Sequence, residues 1–304
     1  MVRIPVLVRV EAVEPNVLEQ LTESDFAQIV NTASLEHALA AGEYRRNSPF
    51  PHVVIEDFLR DEWFDAVVGE FPTVSADKWT NYSHVNERKF ANPVYPTWGP
   101  ATRRVVSALN SPVFVDWLER LTGIERLIID TSFEGGGLHQ SITGGYLNVH
   151  ADYTVHPHHR QWQRRVNLLL YCNADWKREY GGELELWTKD MKACEKKVAP
   201  LRNRVLIFNT DMDSFHGHPE PLTTPIGVAR QSIALYYFTE EESPVVRSTE
   251  YRARPGDGAK RALIFADKQA LRGFDWAKRR FNIGNDTASR ILGFVERIRR
   301  RRQR

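Results

Sequence analysis

The spacing of apolar residues is helical in the first part of the chain. Apolar positions recur every three or four residues in FAQIV, ASLEHALAAG, EWFDAVVGEF, ATRRVVSALN and PVFVDWLERLTG, and the pattern predicts a helix in each. Thr22 and Asp61 offer N-terminal caps, and Gly42 offers a C-terminal stop. The run FPHVVIEDFL (50–59) predicts a strand by its β-branched residues. Residues 74–100 are polar and aromatic with little periodicity, which predicts a long loop over a site.

From Leu127 onward the pattern is that of short strands separated by Gly, Pro, Asn and Asp. The runs are LIIDTSF, GYLNVHADY, RRVNLLLYCN, GELELWT, NRVLIFN and RQSIALYYF. Many short strands at this spacing favour an antiparallel sandwich or barrel, and helices followed by strands predict an α+β fold. After Phe238 the chain becomes polar and then helical again, in RALIFADKQALRGFDWAKRRF and SRILGFVERI. We therefore predict a helical lead-in at 1–45, a main domain at 46–240 and a C-terminal helical extension at 241–304.

Composition and charge narrow the class of protein. Hydrophobic residues make up 42% of the 304 positions and charged residues 26%, as in an ordinary soluble protein with a substantial core. We find no apolar run long enough to span a bilayer and no convincing signal peptide, so we expect a cytoplasmic protein. The net charge is +2, yet residues 297–304 contain six arginines, without which it becomes −4. The body is therefore not a nucleic-acid-binding surface by charge, and the tail is of a kind usually solvated.

The two cysteines give no disulfide framework and no zinc-ligand spacing. Cys172 lies in an apolar strand-like run, which predicts a buried free thiol. A reducing compartment agrees with this state.

The triplet His150-Ala151-Asp152 carries the strongest chemical signal. On a strand, residues i and i+2 point to the same face, so both side chains would reach into one space. A later histidine would complete a two-histidine, one-carboxylate set, which with open positions is typical of non-haem Fe(II) oxygenases. Two candidates follow the strand NRVLIFN: His216, which we favour because it comes directly after the serine and aromatic that close the turn, and His218.

Arg230 and Ser232 share one face of the run RQSIALYYF by the same rule. A buried arginine needs a partner, and its planar fork matches a carboxylate, which indicates a carboxylate-bearing co-substrate. Tyr171 could donate its hydroxyl to the same group. A structural salt bridge for the arginine and core packing for the tyrosine are the alternatives.

Residues from about 50 to 240 resemble the Fe(II)- and 2-oxoglutarate-dependent dioxygenases of the prolyl-hydroxylase type. The likeness rests on RRVNLLLYCNADWKREYGGELELW, on FPHVVIEDFL followed by a helix, and on the motif positions above. It implies a double-stranded β-helix (jelly-roll, cupin-like) core from about residue 127, with N-terminal helices and a C-terminal helical appendage. It also implies Fe(II), 2-oxoglutarate and O2 as reactants, with ascorbate as a stimulant. The implied iron ligands are His150, Asp152 and His216, and the implied 2-oxoglutarate pocket comprises Arg230, Ser232, Tyr171, Tyr146 and Asn148.

The substrate is less constrained. Side chains that could cover a polar substrate, with ordinary packing as the alternative, are Trp79, Tyr82, His84, Arg88, Phe90, Trp162 and Arg164. A catalytic domain without peptide-binding repeats favours a small molecule oxidised at an unactivated C–H bond. Prolyl hydroxylation of a protein or peptide, a cupin-type metalloenzyme independent of 2-oxoglutarate, and an inactive barrel used for interactions remain alternatives. The loop histidines His156, His158 and His159 are expected to be solvated, and the oligomeric state is open.

Overall fold

A computed structural model describes residues 18–74, 79–259, 261–264 and 266. Every helix expected before residue 125 forms. Thr22 caps the first helix in a capping box with Asp25, and Gly42, at φ 58°, ends the second. Arg60 rather than Asp61 takes the N-cap position of the third helix, and Asp61 lies in its first turn. The helices are α1 (Glu23–Ile29), α2 (Thr32–Ala41), α3 (Asp61–Glu70), α4 (Pro100–Leu109) and α5 (Pro112–Thr122), with short 3-10 helices at Tyr95–Thr97 and Arg178–Tyr180.

Thirteen strands belong to one sheet among the described residues. They are β1 (His52–Ile55), β2 (Thr80–His84), β3 (Glu87–Asn92), β4 (Ile128–Ile129), β5 (Gly137–Ser141), β6 (Tyr146–Ala151), β7 (Trp162–Tyr171), β8 (Leu184–Trp187), β9 (Cys194–Val198), β10 (Val205–Asn209), β11 (His216–His218), β12 (Arg230–Glu240) and β13 (Glu250–Tyr251).

The strand order shows how the barrel is built. The pairing runs β1-β10-β7-β12-β5-β3-β6-β11-β8-β9, and every pairing is antiparallel. Strand β3 joins the two halves, because it pairs with β5 at one end and with β6 at the other. The prediction of an α+β protein with a double-stranded β-helix core is confirmed.

The helices cover the outer face of the larger half-sheet. On β7, Leu168 and Leu170 belong to the core shared with the helices, whereas Tyr171 packs inside the barrel with Leu206 and Phe208. Both faces of the strand are therefore buried, and its sequence reads as a continuous apolar run rather than as a strict alternation. Burial on both faces holds β7, which carries residues of the site, firmly in the sheet.

Some sequence-based expectations differ from the structure. The segment 74–100 is not a long loop, because it contains the hairpin β2–β3; β5, β9 and β11 also went unpredicted. Most of the predicted C-terminal helices lie outside the described residues, and residues 250–251 form β13. Cys172 is a buried free thiol as predicted, and burial raises its pKa to about 12. No described helix combines the length and apolarity that a membrane span requires.

Candidate active site

The end of β6 and the start of β11 bring His150, Asp152 and His216 together. His150 lies near the end of β6, Asp152 follows that strand, and His216 opens β11, where it pairs with His150. The Nε2 atom of His150 lies 3.3 Å from Oδ1 of Asp152, and the Nε2 atom of His216 lies 3.6 Å from Oδ2. One donor atom from each residue falls within 4.8 Å of the others, and this is the one such His/Cys/Asp/Glu group among the residues that the structure describes.

Backbone carbonyls orient both imidazoles. The Nδ1–H of His150 donates to the carbonyl oxygen of Asn148 at 2.9 Å, and the Nδ1–H of His216 donates to that of Ser214 at 2.9 Å. This fixes the tautomer and leaves each Nε2 lone pair facing the carboxylate. Burial and the neighbouring His150 lower the pKa of His216 to about 4, so the ring is neutral at ordinary pH. Neutral imidazoles are the form that binds a metal.

Arg164 and Asn167 hold the carboxylate of Asp152. The amide of Asn167 donates to Oδ2 at 2.7 Å, and the guanidinium of Arg164 lies 3.1 Å from the same oxygen. Arg164 also donates to Oδ1 of Asn167 at 2.8 Å and stacks over the Tyr236 ring at 3.4 Å. Burial opposes ionisation, but Arg164 and the two histidines together hold the pKa of Asp152 well below its usual range. Oδ1 of this ionised carboxylate remains directed at His150.

These residues fit a divalent first-row metal. Two imidazole nitrogens and one carboxylate, with other coordination positions left open, form the donor set expected of non-haem Fe(II) sites. His218 lies outside the group, although it is only 4% exposed. It pairs with Leu147 further along β6, and its Nδ1 atom has no hydrogen-bond partner in the described structure. The geometry therefore groups His216, and not His218, with the HxD pair.

Arg230 lies at the other end of the pocket without an acidic partner in the described structure. The side chain is 7% exposed, its Nε–H donates to the carbonyl of Gly182 at 2.8 Å, and Nη2 makes a long 3.4 Å contact with the Tyr171 hydroxyl. Burial lowers its pKa, which means that the empty pocket disfavours this charge. Ser232 is buried two residues along the same face. A buried guanidinium beside a hydroxyl is an arrangement that can bind a carboxylate.

Gly182 makes room for this arginine. Its φ is 73°, and a Cβ atom there would lie 3.0 Å from Cδ of Arg230 and 2.7 Å from Cδ2 of Leu222. A side chain is therefore excluded both by backbone conformation and by contact.

The triad and Arg230 share one pocket. Leu147 lines it, whereas the predicted lining residues Tyr146 and Asn148 are not among its walls. Two residues of β11 span three of β6 between the pairs His216–His150 and His218–Leu147, so β6 bulges and its alternation shifts. Tyr146 and Asn148 instead donate hydrogen bonds to the β2–β3 turn, at Val85.

Several other expected positions have different roles. Trp79 is buried against Phe71. Arg164 lies behind Asp152, not over a substrate, and His156 is buried beside Asp130 rather than solvated. Tyr82, His84, Arg88, Phe90 and Trp162 lie on the β2–β3 hairpin and at the start of β7, and none of them is among the pocket walls.

Sequence reasoning missed Asn167, Lys89 and His139 as pocket residues. Asn167 stands four residues before Tyr171 on β7, so alternation on this strand could have identified it. Lys89 and His139 lie on strands that were not predicted.

The segment after β12 passes beside the triad. Strand β13 pairs with β6 so that Tyr251 stands opposite His150, with ring centroids 5.4 Å apart. The guanidinium of Arg247 donates to the carbonyl oxygens of Asp152 and Asp211, at 3.1 and 3.3 Å. Arg247 thus ties the loop after β6 to the loop that leads into His216.

Comparisons with known proteins agree with this geometry. Residues 136–238 match the sequence model of the 2OG-Fe(II) oxygenase superfamily. A prolyl hydroxylase from Trichoplax adhaerens, solved with a peptide of a hypoxia-inducible factor, has a similar fold, with TM-score 0.50 and 19% identity over 68% of this chain and 93% of that one. A prolyl-4-hydroxylase from Pseudomonas putida gives TM-score 0.48 and 16% identity over 68% of this chain and 100% of that one. Since the matched stretch contains all three donors and Arg230, the chain carries a domain of the 2OG-Fe(II) oxygenase superfamily and is a dioxygenase that takes Fe(II), 2-oxoglutarate and O2.

Proposed function

We propose that the protein oxidises an unactivated C–H bond of a small molecule, most simply by hydroxylation, while 2-oxoglutarate is converted to succinate and CO2. The observation that carries the proposal is Arg230, which lines the same pocket as the triad and is buried there without an acidic partner among the described residues. A 2-oxoglutarate-independent cupin-type enzyme would have no use for such a cation, whose desolvation is costly unless a ligand pairs with it.

In this proposal His150, Asp152 and His216 bind the iron, which activates O2 and the 2-oxo acid. Arg164 and Asn167 keep Asp152 ionised and oriented, and the carbonyls of Asn148 and Ser214 keep both Nε2 lone pairs directed inward.

At the far end, Arg230 receives the distal carboxylate of 2-oxoglutarate, and Ser232 and the Tyr171 hydroxyl donate beside it. Apolar walls from Leu169, Leu184 and Phe208 exclude water from the co-substrate.

The surroundings of the pocket support a small substrate. Strand β13 and Arg247 occupy the space beside the triad, which narrows the approach. A free thiol at Cys172 and a need for ferrous iron both suit a reducing cytoplasm.

Prolyl hydroxylation of a peptide is the second candidate, because the similar Trichoplax enzyme was solved with a peptide bound. The two are separated by measuring which compounds stimulate succinate formation above the uncoupled rate. A metabolite library is compared with proline-containing peptides, each beside the Arg230→Met variant. Stimulation by a small molecule is expected; stimulation by peptides alone would favour the second candidate.

A further inference from the structure

Lys89 is a charged residue of the pocket to which the proposed reaction assigns no role. Three charged side chains line the pocket: Asp152, which faces the metal, Arg230, which faces the co-substrate, and Lys89. Lys89 reaches inward from β3, two residues before Ala91, which pairs with His139 on β5. The mechanism requires a role for the first two residues and none for Lys89.

The ammonium of Lys89 is fixed but not saturated. Its Nζ atom lies 3.0 Å from Oε2 of Glu87, and it stands 5.5 Å from the centre of the Tyr82 ring. Glu87 is shared, because its Oε1 atom lies 2.9 Å from Nε2 of His84. A lysine has three N–H donors, so one shared carboxylate leaves donors available. Burial opposes the charge, but Glu87 raises the pKa of Lys89, which therefore stays cationic.

Two buried imidazoles near this cation each have one ring nitrogen without a hydrogen-bond partner among the described residues. The Nε2 atom of His139 and the Nδ1 atom of His218 are inaccessible to water, have no hydrogen-bond partner in the described structure, and belong to pocket-lining residues. Burial and the nearby Lys89 lower the pKa of His139 to about 3, so its ring is neutral. Unmet polar atoms inside a pocket are costly unless a ligand satisfies them.

The charges of the loaded pocket leave one cation over. Fe(II) balances the 2-oxoglutarate dianion. The buried side chains at and behind the pocket walls add three cations, Arg230, Arg164 and Lys89, and two anions, Asp152 and Glu87, which leaves a net charge of +1. Of the three cations, Lys89 lines the pocket without a role in binding the metal or the co-substrate. An anionic group on the primary substrate would complete the balance.

We propose that Lys89 binds an oxyanion of the primary substrate, and that this substrate is a small molecule bearing a carboxylate or a phosphate. The inference rests on the proposed function, since it takes 2-oxoglutarate to occupy the Arg230 end. Lys89 then determines specificity by orienting the substrate from its charged end.

Calorimetry on the Mn(II)-loaded protein saturated with 2-oxoglutarate tests this. The probes are matched pairs: N-acetyl-leucine with its primary amide, and phenyl phosphate with phenol. We expect one anionic probe to bind and its neutral partner not to bind. Lys89→Met should weaken that binding by about 10- to 150-fold, the equivalent of one charge-assisted hydrogen bond, and Lys89→Arg should retain most of it. The pair that binds distinguishes carboxylate from phosphate.

Two variants serve as controls. Because Lys89→Met leaves Glu87 without its cation, the double variant Glu87→Gln/Lys89→Met removes the pair together and should show the same loss. Lys197→Met removes an exposed lysine that pairs at 3.1 Å with the buried Glu185, on β9 and β8 and outside the pocket walls, and should bind the probes like wild type.

Equal binding of acid and neutral partner, retained binding in the double variant, or no binding of any anionic probe to the wild type would overturn the inference. Failure of the wild type to bind 2-oxoglutarate would instead overturn the proposed function, so the two failures are distinguishable.

Discussion

Replacing Arg230 by methionine isolates the interaction on which the co-substrate depends. Methionine keeps much of the apolar stem of arginine and removes the guanidinium. Of the guanidinium donors, Nε–H is already used by the Gly182 carbonyl at 2.8 Å, and the Tyr171 contact at 3.4 Å is weak. Of the five N–H donors, three therefore remain, and two of them, one on each Nη atom, can bind a carboxylate in the bidentate arrangement that arginine favours.

The expected loss follows from these two bonds. Each hydrogen bond to a charged group contributes about 1.5–3 kcal/mol, so two contribute about 3–6 kcal/mol. At about 1.4 kcal/mol per factor of ten, the Kd of 2-oxoglutarate should rise by about 10²- to 10⁴-fold. The stability of the protein without 2-oxoglutarate should not fall in proportion, because the variant also removes a buried and unpaired charge whose pKa is lowered by burial.

The assay is calorimetric titration of 2-oxoglutarate into the Mn(II)-loaded wild type and Arg230→Met variant, beside urea unfolding of both proteins without 2-oxoglutarate. Arg202→Met, which removes pairs with Asp61 and Asp65 and a contact over the Phe64 ring outside the pocket walls, serves as the control. An unchanged Kd in Arg230→Met would refute the assignment of this arginine. Collapse of the fold in the variant would show that Arg230 is chiefly structural.

Three further predictions follow from the site. Arg247→Met should weaken Mn(II) binding by about 10- to 100-fold, because Arg247 no longer connects the loop after β6 with the loop before β11. A titration followed by electron paramagnetic resonance measures this affinity, and an unchanged value would contradict that role. Gly182→Ala should weaken 2-oxoglutarate binding in calorimetry, because its Cβ would displace Arg230, and a normal Kd would show that the arginine can shift. For the metal-free protein, the free energy of unfolding should fall as pH drops below 6.5. In the folded protein the pKa of His216 is lowered to about 4 and that of His139 to about 3, so between these values and 6.5 both histidines are protonated only in the unfolded chain. The slope in urea titrations should approach about 1.4 kcal/mol per pH unit for each histidine, and a flat profile would contradict their burial.

The strands that could be predicted from sequence are those with buried apolar residues. Strands β7, β10 and β12 pack against helices on one face and inside the barrel on the other, so apolar content alone marks them. The hairpin β2–β3 gave no such signal, because most of its residues are polar and its Lys89 faces the pocket. The polar lining that makes a pocket functional also hides its strands from a hydrophobic pattern.

Alternation along a strand was enough to predict the metal-ligand candidates, but it did not predict the residues that contact those ligands. The spacing of His150 and Asp152 is visible in the sequence, but the bulge in β6 that turns Leu147 inward and Asn148 outward is a property of pairing with β11. Arg164 meets Asp152 because β7 runs beside the loop after β6, and nothing local to either segment indicates that contact. Pairing register therefore sets the limit of what the sequence predicts here.

Release of labelled CO2 from 1-labelled 2-oxoglutarate, with Fe(II) under air, tests the central claim most directly. We expect release by the wild type, none by His150→Ala, Asp152→Ala or His216→Ala, and partial release by His218→Ala. Release that survives in His216→Ala but is lost in folded His218→Ala would contradict the ligand set. Absence of release from a wild type that binds both metal and 2-oxoglutarate would contradict the assignment of the chain as a dioxygenase.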